Sequence, residues 1–247
     1  MDRGWRPIGP DPAIAAWAKA ARPLAEAAIS NADADWRCGG TWCVGLDALD
    51  NDEAGNVAGL AFPWSSFGLV QQPLHRAQIS TVRPGYPLPS DGENEAGFRF
   101  RLNRDAAHLD GVIAEGPEKR RFIREPHAWI LGIALNETSR DASPLTVWEG
   151  SHEIIRKALL DALAKVDRAD WGNSDLTEAY QHARKKVFET CKRVCVPIRP
   201  GEATLLHRLT IHGVAPWAEA AAAPEEGRMI AYFRPLMPSV EDWLLKP

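Results

Sequence analysis

A chain of 247 residues that is 45% hydrophobic and 25% charged has enough apolar material for a sizeable core, which excludes wholesale disorder. Its net charge of −4 supplies no overall basic field, so neither a nucleic-acid backbone nor an anionic membrane is an expected partner. Pro and charges interrupt the N-terminal stretch where a secretory signal needs an unbroken apolar run, and Cys38, Cys43, Cys191 and Cys195 form no CxxC pair, so a cytoplasmic, reducing setting is expected.

In chain order, the Ala-rich segment 11–30 has apolar positions at helical spacing, with Pro12 where a first turn tolerates it, and predicts an opening helix. From Thr41 the text changes to short apolar runs broken by Asn-Asp, Gly and Pro, the spelling of strands and turns. Strands are expected at "RAQISTVRPG", "GFRFRLN", "HAWILGIALNE", "LTVWEG", "EATLLHRLTIHG" and "RMIAYFRPL". Two helical segments, "HEIIRKALLDALAKV" and "DLTEAYQHARKKVFETC", lie among the later strands, the second with Asp175 and Glu178 at capping-box spacing. The Ala-rich "WAEAAAAPEEG" reads as a surface loop. With no repeat and no long linker, residues 1–247 are expected to form a single domain, mostly β with flanking helices: a barrel or jelly roll.

The chemistry centres on "HLDG". In an extended segment alternate side chains leave on one face, so His108 and Asp110 would aim an imidazole and a carboxylate at one point. A third ligand is offered far downstream by His212, at the end of an alternating run and followed by Gly213. Two histidines and one carboxylate form the facial set that leaves three positions of an iron(II) ion open, enough for a bidentate 2-oxo acid and dioxygen. The distal carboxylate of 2-oxoglutarate would then need a cation inside the barrel. Arg228, opening the strand after His212, answers that need, and Arg234 shares its face six residues on.

These residues resemble the phytanoyl-CoA dioxygenase family of iron(II)- and 2-oxoglutarate-dependent oxygenases, through the ordered pieces "QISTVRPG", "HLDG", "PLTVWEGSHE", "RPGEATLLHRLTIHG" and "RMIAYF". The resemblance implies a double-stranded β-helix of the cupin-like, jelly-roll type. It implies His108, Asp110 and His212 as metal ligands, Arg228 as the anchor of the 2-oxoglutarate tail, and Fe(II), 2-oxoglutarate and dioxygen as the reactive set. Arg83, in "TVRPG", falls where some relatives carry a basic residue near the co-substrate, and Ser151 and His152 belong to a turn before a helix. Two departures stand out: Val214 where relatives often place Ser, and a longer spacing from His212 to Arg228.

The reaction so implied is hydroxylation of an unactivated C–H bond of a small organic molecule, with release of succinate and CO2. A jelly-roll metal protein with isomerase or hydrolase activity, and a non-catalytic metal-binding module, are the alternatives. Halogenation is disfavoured, because Asp110 fills the coordination position chloride would need. Arg99, Arg101, Arg104, Arg120, Arg121 and Arg124 raise the expectation of a positive entrance and an anionic substrate, against which Glu115, Glu118 and Glu125 stand as neutralising partners.

Overall fold

The computed structural model describes residues 1–31 and 34–246. Its frame is a seven-stranded antiparallel sheet facing a smaller one. In spatial order the large sheet runs β1 (Trp5–Ile8), β10 (Ala203–His207), β7 (Trp129–Ala134), β12 (Arg228–Phe233), β4 (Gln78–Val82), β3 (Trp42–Gly45) and β2 (Trp36–Arg37). The smaller sheet is β11 (His212–Val214), β8 (Leu145–Trp148) and β9 (Arg193–Val196), and β5 (Val112–Glu115) and β6 (Arg120–Ile123) form a separate hairpin. An antiparallel bridge between His108 and His212 adds the HxD segment to the free edge of β11. This is a jelly roll with flanking helices.

Alternation along the central strands separates two environments. Met229, Ala231 and Phe233 leave one face of β12 and join Ile79, Leu131, Ile133 and Leu205 beneath α1 (Pro12–Ile29). Asp11 caps α1 by accepting from the Ala13 and Ile14 amides, and Trp17, fully buried, meets Phe62 and Phe233 edge-on. Burying side chains of this size contributes about 1.5–3 kcal/mol each, so α1 is fixed to the back of the sheet. On the opposite face Trp5, Ile130, Leu145, Val147, Val196 and Leu206 pack the two sheets together. Arg228, Ile230 and Tyr232 of β12 lie on that inner side, in register with Val82, Ser80 and Gln78 of β4.

Two helices, α4 (Ser151–Leu163) and α5 (Thr177–Thr190), cover the outside of the smaller sheet through Ile155, Leu159, Tyr180 and Val187. A four-residue turn, α2 (Trp64–Phe67), and a C-terminal helix, α6 (Val240–Leu245), complete the shell together with α3 (Glu95–Arg104). Asp175 accepts from the Thr177 amide and hydroxyl, so the start of α5 is held locally rather than by a reciprocal box with Glu178. Among the described residues no helix is long and apolar enough to cross a membrane.

The "GFRFRLN" segment is not a strand. It lies within α3 (Glu95–Arg104), capped by Asn94, whose side chain accepts from the Gly97 amide. No residue of α3 is buried, so its alternation of Phe and Arg answers to no sheet face. Phe100 instead packs against Phe188, and Arg101 pairs with Glu93.

Candidate metal centre

His108, Asp110 and His212 come together, with their ligating atoms all within 4.8 Å of one another. Backbone pairing makes this possible: the His108 amide donates to the His212 carbonyl at 2.9 Å and the His212 amide to the His108 carbonyl at 3.1 Å. Two residues on, the Val214 amide donates to the Asp105 carbonyl at 2.9 Å. Gly213 sits between these contacts, and a Cβ on it would stand 2.2 Å from the Asp105 carbonyl oxygen. Only a residue without a side chain lets the HxD segment lie this close to β11.

Each imidazole is aimed by a backbone carbonyl. His108 Nδ1 donates to Ala106 at 3.0 Å, and His212 Nδ1 to Thr210 at 2.9 Å. A proton on Nδ1 leaves Nε2 with a free lone pair, and both Nε2 atoms face Asp110, at 3.2 Å from Oδ1 for His108 and 3.8 Å from Oδ2 for His212. Burial pushes the His212 pKa down to about 4, despite the nearby carboxylate. At His108, whose side chain is half exposed, desolvation opposes protonation, but the hydrogen bond and charge of Asp110 override it and the pKa is raised. Burial disfavours the charged Asp110 as well, yet His108, His212 and Arg234 together hold its pKa well below the usual range. The result is a carboxylate beside two imidazoles whose Nε2 atoms converge on it, and a metal ion would take the place of the proton shared between His108 and Asp110: the donor set for a divalent transition metal.

The two arginines of β12 and its extension have different company. Arg234 donates from Nη1 to Asp110 Oδ2 at 3.1 Å and from Nη2 to Gln78 Oε1 at 2.6 Å. Arg228 is 6% exposed, and neither its Nε nor its Nη2 has a hydrogen-bond partner. Burial draws its pKa below the ordinary guanidinium value, an effect the Tyr232 hydroxyl beside it opposes. Arg228 and Tyr232 line a cavity of about 180 Å³ together with Gly132, Ser139, Arg140 and Thr204, whose hydroxyl also lacks a partner. Tyr232 lies flat over Gly132, where a Cβ would come within 2.7 Å of its ring.

The remaining expectations fall out as follows. Arg83 stacks its guanidinium on Trp36, 3.7 Å from the ring centre. Ser151 is structural, its hydroxyl accepting from the Ile211 amide, and His152 is buried against His207. Of the six arginines proposed for a positive entrance, four pair with carboxylates: Arg99 with Glu95, Arg101 with Glu93, Arg120 with Glu118 and Asp175, and Arg124 with Glu115. Arg104 and Arg121 lie over Phe188 and Tyr180. The contact of Arg234 with Asp110 and that of Gln78 with Arg234 cannot be read from the sequence, because Gln78 comes beside Arg234 only through the β4–β12 register.

No family model matches the chain, and no curated protein matches it. Solved structures do. The non-haem alpha-ketoglutarate-dependent carbocyclase SnoK from nogalamycin biosynthesis is similar over 98% of this chain and 85% of its own, at 16% identity and a TM-score of 0.51. AviO1 from Streptomyces viridochromogenes Tue57 matches over 96% of this chain and 93% of its own, at 16% identity and a TM-score of 0.44. EctD from S. alaskensis, solved with 2-oxoglutarate and 5-hydroxyectoine, matches over 95% and 73%, at 15% identity and a TM-score of 0.43. At such identities the likeness to SnoK is one of fold, and the chain has the jelly-roll fold seen in that enzyme.

Proposed function

We propose that this protein is an iron(II)- and 2-oxoglutarate-dependent oxygenase that hydroxylates a small organic molecule. One observation carries the reading: two carbonyl-aimed imidazoles and a carboxylate converge inside a jelly roll whose inner face also holds a buried arginine with Nε and Nη2 lacking partners. The donor set fits a six-coordinate divalent ion with three positions left over. Iron bound there would supply dioxygen activation coupled to oxidative decarboxylation, with the balance R–H + 2-oxoglutarate + O2 giving R–OH, succinate and CO2.

The chain's own residues have separable tasks. His108, Asp110 and His212 hold the metal, and Asp110 keeps the position that a halide would otherwise take. Arg228 anchors the distal carboxylate of 2-oxoglutarate, since a buried guanidinium with Nε and Nη2 both free gains most from a bidentate anion. Tyr232, lining the same cavity, offers that carboxylate a second donor where Val214 can offer none. Arg234 is less suited to the anchor because Asp110 and Gln78 already occupy it, and Arg83 because it stacks on Trp36.

The deciding experiment is an anaerobic titration of purified protein with iron(II) and then 2-oxoglutarate, followed by the weak visible charge-transfer band of a chelated 2-oxo acid. The expected result is one iron and one 2-oxoglutarate per chain. Iron binding without any 2-oxoglutarate binding would turn the reading toward oxygen-independent isomerisation or hydrolysis at the same ligands.

A further inference from the structure

Asp110 has two oxygens, and only one of them lies toward His108. Oδ1 is 3.2 Å from His108 Nε2, whereas Oδ2, 3.8 Å from His212 Nε2, accepts a hydrogen bond from Arg234 Nη1 at 3.1 Å. Arg234 is itself well fixed. Gln78 accepts from its Nη2, its backbone amide donates to His75 Nε2 at 2.8 Å, and its carbonyl accepts from His127 Nδ1 at 3.0 Å. A guanidinium pinned at the main chain and at both terminal nitrogens is no solvated surface charge, and its side chain is only 19% exposed.

A carboxylate can bind a divalent metal through one oxygen or both. With both, it takes two coordination positions, and a facial set of two imidazoles would then leave two open instead of three. A chelating 2-oxo acid needs two and dioxygen a third. From this geometry we infer that Arg234 is a positioning residue that, by engaging Oδ2, restricts Asp110 to binding the metal through Oδ1 and so keeps a coordination position free for the 2-oxo acid. The inference rests on the oxygenase reading above and assigns Arg234 a task distinct from that of Arg228: one arginine governs the headgroup of the co-substrate, the other its tail.

The separation can be measured by binding, without turnover. Iron(II)-loaded protein under argon is titrated with 2-oxoglutarate and, separately, with pyruvate, which has the same chelating headgroup and no distal carboxylate. Arg234→Met is expected to weaken both ligands by a similar factor, about 10-fold, the low end of what losing a hydrogen bond to a metal ligand costs, while iron affinity changes by less than about 3-fold because the freed Oδ2 can itself bind the metal and offset that loss. Arg228→Met is expected to weaken 2-oxoglutarate alone. Gln78→Met, which removes the second arm holding Arg234, should repeat the Arg234→Met pattern more weakly and serves if the arginine variant does not fold. The inference is overturned by loss of 2-oxoglutarate affinity with pyruvate unaffected, which would make Arg234 a tail anchor. It is overturned equally by unchanged affinity for both ligands, or by loss of iron itself. Wild-type protein that takes up iron but neither 2-oxo acid refutes the oxygenase reading first, before any variant is needed.

Discussion

Replacing Gly213 by alanine should both destabilise the fold and disable the metal centre, and the size of the effect can be worked out. The new Cβ would stand 2.2 Å from the Asp105 carbonyl oxygen and 3.1 Å from the Ala107 Cα, both backbone atoms that cannot swing aside. Relief requires the segment from Asp105 to His108 to move away from β11 by about 1 Å, given an ordinary carbon–oxygen contact near 3.3 Å. That movement breaks or stretches three backbone hydrogen bonds, Val214 to Asp105 and the reciprocal pair between His108 and His212. At about 1 kcal/mol each, with an overpacking strain of the same order, the total is roughly 3–4 kcal/mol. Urea denaturation measures this term, and iron(II) or manganese(II) titration measures the second effect, since the displaced segment carries His108 and Asp110. A Gly213→Ala protein within about 0.5 kcal/mol of wild type that binds metal equally well would refute the claim that this close approach builds the site.

Further outcomes follow from the same geometry. Substituting His108 or Asp110 by Ala should abolish tight iron(II) binding, as equilibrium dialysis would reveal. Arg228→Met should weaken 2-oxoglutarate by about 30-fold, or about 2 kcal/mol, in calorimetry with the metal-loaded protein. Stability should fall in mild acid through His207, whose pKa burial and the charges of Arg208 and Arg156 push down to about 3. Because the folded state resists the proton that the unfolded chain accepts near pH 6.5, stability is intact above that pH and declines progressively as pH falls toward 3. The loss is about 2 kcal/mol at pH 5, and His207→Gln, compared with wild type by urea denaturation at pH 7 and pH 5, should flatten that slope.

The parts of the fold legible in the sequence are those where one-sided burial imposes a pattern. β4, β7, β10 and β12 sit where apolar runs place them, and the opening helix begins at its Asp-Pro signal. Alternation misled at residues 97–103 because it signals a strand only if one face is buried, and α3 buries neither. At the site, the metal-ligand types and their HxD spacing could be read directly, but the reason they meet could not. The carbonyls of Ala106 and Thr210 that aim the imidazoles are two residues away but depend on local backbone turns that residue types do not spell, and the space over Gly213 and the grip of Arg234 on Asp110 arise from contacts between segments more than a hundred residues apart. The arginines near the HxD segment teach the complementary lesson: local sequence shows six cations, and only the fold shows that four meet carboxylates and two lie over aromatic rings.

Strand β12 is a two-sided component, with Met229, Ala231 and Phe233 in the packing under α1 and Arg228 and Tyr232 facing the cavity. Shifting its pairing by one residue would put a guanidinium into the hydrophobic layer and a phenylalanine into the cavity. The loop just before it, with its run of alanines and glutamates from residue 218 to 226, carries no such double duty and lies largely at the surface. Insertions into this chain therefore have a permitted place and a forbidden one only a few residues apart. Someone grafting a new specificity element onto this scaffold should insert between Trp217 and Gly227 and leave the length of everything from Arg228 to Arg234 untouched.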